Sequence, residues 1–143
     1  VNGWLPMLQA ENAAPYLIAE PLGDYKKLNG LLAALQGYGY AVEVVSWLAK
    51  GETTKQFDSA VRKNKRAWLR KYYPAIDLNN VHVVKHGTNK WRVSNYKGGI
   101  LFDDESGNVH AWQRDTSSGR AVRIKDDTTL LDALESLIIQ ELE

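Results

Sequence analysis

Residues 99–105, Gly-Ile-Leu-Phe-Asp-Asp-Glu, set an apolar run directly against two adjacent carboxylates, Asp103 and Asp104. A run of this kind suits a buried strand that delivers acids to its own carboxyl tip, where open α/β sheets keep their chemistry. Adjacent carboxylates repel, so they are kept ionised by hydration, by cationic side chains or by a hard cation such as Mg²⁺. The bland alternative is a solvated turn that ends the strand. Two further features belong to the same edge of a sheet. Ser46 closes the apolar run 41–46, and residues 85–90, Lys-His-Gly-Thr-Asn-Lys, form a glycine-containing loop with an ammonium at each end. A hydroxyl, an ammonium and paired carboxylates converging on a crevice suit a phosphate group. Ser46 and a lysine orient and neutralise its oxygens, and the carboxylates hold a bridging Mg²⁺.

The elements that must position these residues alternate between short apolar runs and amphipathic stretches. Pro6, Pro15 and Pro21 break up residues 1–23, which read as an irregular flap. From Asp24 a helix is expected, with Leu28, Leu31, Leu32 and Leu35 on one face and Gly37 or Gly39 ending it. A strand follows over 41–46, then a long helix over 53–73 marked by Phe57, Val61, Trp68, Leu69 and Tyr72 and stopped by Pro74. Further strands are expected at 81–84, 99–102 and 121–124, and a final helix from Thr128 or Thr129 carries Leu130, Leu134, Leu137 and Ile138. Strands that are apolar at nearly every position and separated by helices predict a doubly wound α/β fold, a parallel sheet covered on both faces.

With 143 residues, 44% hydrophobic and 24% charged, the chain has the size of one domain with one core. Cysteine is absent, so thiolate metal sites, disulfides and cysteine nucleophiles are excluded, and a cytoplasmic address is expected. The formal charge of +1 supplies no global field toward nucleic acid or anionic lipid. No stretch reaches the roughly 18 apolar residues of a membrane span, so no membrane partner is expected. His82, His86 and His110 lack metal-ligand spacing. Residues 103–108 resemble a calcium loop only superficially, since the glycine is misplaced and the twelfth-position acid is missing.

Three segments in order, 44–47 (Val-Val-Ser-Trp), 87–90 (Gly-Thr-Asn-Lys) and 99–105, resemble the second, third and fourth motifs of the haloacid-dehalogenase-like (HAD-like) superfamily, in the manner of its small phosphatases. The resemblance covers most of residues 1–115. It implies a three-layer, Rossmann-like sheet in which Ser46 hydrogen-bonds the phosphoryl group, Lys90 stabilises its charge, with Lys85 the fallback, and Asp103 and Asp104 hold Mg²⁺. The implied substrate is a phosphorylated small molecule or nucleotide, and a flap over residues 4–22 replaces a full cap. A cap this small leaves the pocket open to sizeable substrates or to a partner subunit, hence to a homo-oligomer.

The family's first motif, Asp-x-Asp-Gly-Thr, which carries the nucleophile and the acid-base partner, does not occur in these residues. Asp24 and the pair Asp126-Asp127 are the nearest carboxylate clusters, and neither follows an apolar strand. The opening Val-Asn-Gly-Trp is similar to what often follows that motif, so the chain is expected to begin just downstream of it. Residues 1–143 then form a single HAD-like domain whose core spans 24–143 and whose first, central strand lies upstream. Loss of that strand leaves two unpaired sheet edges, and without the aspartate the family's phosphoryl transfer cannot run.

Two other classes compete. A non-catalytic HAD-like phosphate-binding or interaction module would keep the fold without the nucleophile. Nucleic-acid binding would use the basic helix 55–71, where Lys55, Arg62, Lys63, Lys65, Arg66, Arg70 and Lys71 crowd together. Helical spacing places Trp68 and Tyr72 with Phe57 and Val61 on the packing face, leaving the cations as a solvated face, so nucleic acid is the weaker reading.

Overall fold

The computed structural model describes residue 21 and residues 23–143. The flap expected over 1–23 therefore lies, apart from residues 21 and 23, outside the described residues. The elements in chain order are α1 (Tyr25–Gly37), β1 (Val44–Trp47), α2 (Lys55–Tyr72), a 3₁₀ turn (Leu78–Asn80), β2 (Val81–Val84), α3 (Lys90–Val93), β3 (Leu101–Asp103), α4 (Ser106–Asp115), β4 (Ala121–Arg123) and α5 (Asp127–Leu142).

Local chemistry sets the helix starts. The carboxylate of Asp24 accepts from the amide of Lys27, the hydroxyl of Thr54 from that of Phe57, and the carboxylate of Asp126 from that of Thr129. Each satisfies one of the orphan donors of a first helical turn, worth about 1 kcal/mol. Asp24 and Asp126 are thus helix caps. Chain direction after α1 reverses through Gly39, whose φ of 95° is open to glycine at no steric cost.

Strands pair in parallel, as alternating strands and helices require. β1 runs beside β2 in the register Val44↔Val81 to Trp47↔Val84, and β3 beside β4 from Leu101↔Ala121 to Asp103↔Arg123. The expectation of one sheet is met only in part, because among the described residues these are two separate two-stranded sheets in a mixed α/β fold with five α-helices. β1 begins at Val44 rather than residue 41, and β3 at Leu101 rather than residue 99. Two helices were not expected. In α4 the weak helix formers Gly107 and Asn108 stand in the first turn, and its buried face is marked only by Val109 and Trp112. Helix α3 is a single turn.

The core has two centres. Leu48, Phe57 and Val61 bury the join between α2 and the end of β1. Tyr73, Ile76 and Val81 form the second, joined by Leu28 and Leu32 of α1 and by Trp68 and Tyr72 of α2. The aromatic pair of α2 therefore packs, with Trp68 and Tyr72 ring centres 5.3 Å apart. The cations of α2 are not uniformly solvated, however. Arg62 Nε donates to the Val83 carbonyl, and the Arg66 guanidinium to the carbonyls of Val81 and Leu78. Because Leu48 N–H bonds to Val84 O on the β1 side, strand alternation turns the Val81 and Val83 carbonyls to the opposite edge of β2. Two arginines cover that edge, a guard against unwanted strand pairing.

The facing edges of β1 and β3 border a cavity of about 840 Å³, lined by Val44 and Val45 on one side and Leu101 and Phe102 on the other, with Leu35 and Leu134 among the helical residues around it. Among the described residues no strand lies between β1 and β3.

Candidate functional site

The carboxyl ends of β1 and β3 carry the residues singled out in the sequence. Asp103 ends β3 and is buried, only 6% exposed. Its Oδ2 accepts from Lys90 Nζ at 2.7 Å and from Asn108 Nδ2 at 3.2 Å, and its Oδ1 from the Glu105 amide at 2.9 Å. Burial pushes the Asp103 carboxyl up, but the Lys90 hydrogen bond, the Glu105 amide, the Lys90 charge and Asn108 together hold it below the usual value. Lys90 opens α3, which follows the Gly87 turn. There Thr88 N–H and its hydroxyl close back on the Lys85 carbonyl, and Gly87 sits at φ 86°. Lys85 itself is exposed, so of the two candidate lysines Lys90 is the one that reaches the strand ends.

Trp47 ties β1 to this loop. Its indole N–H donates to Thr88 O at 2.9 Å, Lys90 Nζ lies 5.5 Å from its ring centre, and His86 packs on it with ring centres 4.7 Å apart. Ser46, one residue earlier, is met from the other side by Lys65 of α2. The Lys65 ammonium donates to Ser46 Oγ at 2.8 Å and to the Trp47 carbonyl at 2.6 Å. Burial, and next the nearby Lys90 charge, lower the Lys65 pKa to about 8. Ser46, Lys90 and Asp103 are therefore linked at the carboxyl ends of β1 and β3, together with a second ammonium, and of these residues Lys90 lines the cavity.

Asp104 is not gathered in. Strand alternation turns it away from Asp103, and its side chain is exposed. Its carbonyl accepts a long bond, 3.4 Å, from Arg123 Nε.

In the sequence Lys65 reads only as one cation of a solvated face. A signal existed, because Lys65 stands four residues after Val61 and three before Trp68, on the packing stripe itself. A charged residue on an apolar stripe marks a buried polar contact.

Among the described residues no three His, Cys, Asp or Glu side chains cluster as a metal cage. Mg²⁺ does not need one, since it takes one or two carboxylates and completes its shell with waters and phosphate oxygens. Asp103 Oδ2 has both lone pairs engaged, whereas Oδ1 retains an acceptor position and Asp104 is exposed to solvent. Asp103 Oδ1 is therefore the carboxylate oxygen at the strand end that could take Mg²⁺ directly, while Asp104, turned away from it, could contribute only through waters of the ion's shell.

A second polar cluster occupies the amino end of β1. The Glu43 carboxylate accepts from the Ser94 hydroxyl, from the Asn95 amide at 3.0 Å, and faces His82 Nε2 at 3.0 Å. It joins β2 to the segment leading into β3. No local pattern marks it, because its three parts, Glu43, His82 and Ser94, lie 12 to 51 residues apart.

No family model, curated protein or solved structure matches this chain. No helix among the described residues is long and apolar enough to cross a membrane.

Proposed function

We propose that the chain is the body of a Mg²⁺-dependent phosphate-ester hydrolase of the HAD-like type, built on a three-layer doubly wound sheet, whose substrate is a phosphorylated small molecule or nucleotide. The observation that supports this reading is the meeting of Ser46 with one ammonium, and of Asp103 with another, at the carboxyl ends of β1 and β3, the two strands whose residues line a common cavity. Open α/β sheets bind ligands at such ends. In this reading Ser46 donates to a phosphoryl oxygen, Lys90 offsets its charge while holding Asp103 in place, and Asp103 with Asp104 would hold the cation. Bound there, Mg²⁺ would act as a Lewis acid on the phosphoryl oxygens. The nucleophile is not among these residues, so turnover requires an aspartate carried on a further strand, for which the space between β1 and β3 is suited.

The test is a thermal-shift titration with Mg²⁺ and beryllofluoride or vanadate. It uses this chain and the same chain extended at its N-terminus by an apolar strand bearing Asp-x-Asp-Gly-Thr. A ligand well above its Kd adds about 1–3 kcal/mol by mass action. Stabilisation confined to the extended chain supports the hydrolase. Equal stabilisation of both favours a phosphate-binding module that needs no nucleophile, and none in either rejects the site. Ser46→Ala is expected to weaken the phosphate mimic, and Asp104→Asn the Mg²⁺ dependence, each by about tenfold; the unliganded melting temperature should change little in Asp104→Asn, whose side chain is exposed, and should fall in Ser46→Ala, which takes an acceptor from the partly buried Lys65 ammonium.

A further inference from the structure

We propose that Lys65 is a positioning residue for Ser46, fixing the serine hydroxyl so that its single proton is donated to a phosphoryl oxygen, a role that rests on the phosphate reading above. An ammonium has donors and no acceptor. At 2.8 Å from Lys65 Nζ, Ser46 Oγ must therefore accept, which leaves the hydroxyl proton for a second partner. Among the described residues Ser46 Oγ makes no other hydrogen bond. The second bond of the ammonium, to the Trp47 carbonyl, anchors it to the same strand end, so the hydroxyl is aimed relative to the backbone rather than left to rotate. The lysine stem leaves α2 one turn after the fully buried Val61, so packing of that face sets where the ammonium stands.

The charged groups around this ammonium also favour an anion. Lys90 on α3 faces it and is itself paired with Asp103 on β3, while His86 packs on the Trp47 ring with centres 4.7 Å apart. Two ammonium groups beside one outward-donating hydroxyl form an oxyanion cradle. Lys65 thereby deepens the proposed function, since it explains how a serine on a strand end is poised as a donor before any ligand arrives.

Two measurements test this. The first follows the Lys65 Nζ and Cε resonances through a pH titration in the parent chain and in Ser46→Ala. Loss of the hydroxyl acceptor disfavours the charged form, so the Lys65 titration is expected to move to lower pH in the variant. An unchanged titration would overturn the proposal, and this arm requires neither phosphate nor a Lys65 variant that folds. The second is a double-mutant cycle on the binding of inorganic phosphate. Lys65→Met is expected to weaken binding by roughly tenfold or more with Ser46 present, and by less than about threefold in the Ser46→Ala background. Equal loss in both backgrounds would show a charge effect alone and overturn the positioning role. If the parent chain binds no phosphate while the Lys65 titration still moves, the phosphate reading fails and takes the donor role with it, a result distinct from failure of the Lys65–Ser46 contact.

Discussion

Replacing Lys90 by methionine is expected to cost about 3–5 kcal/mol of folding stability near neutral pH, because it leaves the Asp103 carboxylate buried without its cation. Methionine keeps most of the apolar stem, so the loss reports the charge rather than packing. The pH dependence gives the prediction its sign. In the parent the Asp103 carboxyl is held below its ordinary value of 3.8. Its contribution is therefore complete above that value, and is lost only as pH falls through the still lower folded value. In Lys90→Met the burial that opposes ionisation is no longer outweighed by the lysine, so the folded carboxyl rises above the unfolded one. The variant's deficit should be largest near neutral pH and shrink as pH falls through that raised value. Urea denaturation of both proteins across the acid range measures this directly. A deficit that stays constant with pH would mean that Lys90 acts through packing and that Asp103 does not depend on it.

The second large effect is expected at the other end of the cavity. Glu43→Ala removes the acceptor shared by the Ser94 hydroxyl, the Asn95 amide and His82. Ser94 is only 3% exposed, so its hydroxyl cannot turn to water without local opening. Each buried donor left unsatisfied costs about 1–3 kcal/mol, which puts the whole substitution on the order of 3 kcal/mol. Glu43→Gln keeps one carbonyl acceptor but presents an NH₂ to a donor, so a smaller loss is expected. Amide exchange at Asn95 should accelerate in both variants, more in the alanine. A loss under about 1 kcal/mol, with Asn95 protection intact, would show that the β1–β2 and β3–β4 halves are held together by other contacts.

These two clusters explain why so much rests on a few polar residues. Where two sheets face each other without a strand between them, backbone pairing cannot hold them in register. Side chains must bridge the space instead. Glu43 does so at one end, and at the other Lys90, which lies over the Trp47 ring of β1, pairs with Asp103 of β3. An extended segment entering between β1 and β3 would find apolar walls formed by Val44, Val45, Leu101 and Phe102.

Local pattern alone determined most of the elements. The leucine spacing of α1, the stripe of α2 with its Pro74 stop, the run Val81–Val84 and the last helix are written in neighbouring residues, because helix and strand periods and their caps act over a few positions. Ser46, Lys90 and Asp103 were likewise legible as strand-end and loop residues. Helix α4 was not, since Gly107 and Asn108 mask a helix whose stability comes from burying Val109 and Trp112 against β3 and β4. Which charges pair was decided only by the tertiary structure. The sequence offers Asp103 and Asp104 as equals, yet the fold buries one against Lys90 and leaves the other in water. It offers seven cations on α2, yet turns Arg62 and Arg66 onto β2 and Lys65 onto Ser46. The physical reason is that burial and hydrogen bonding depend on approach between segments tens of residues apart, and no periodicity within a segment carries that information.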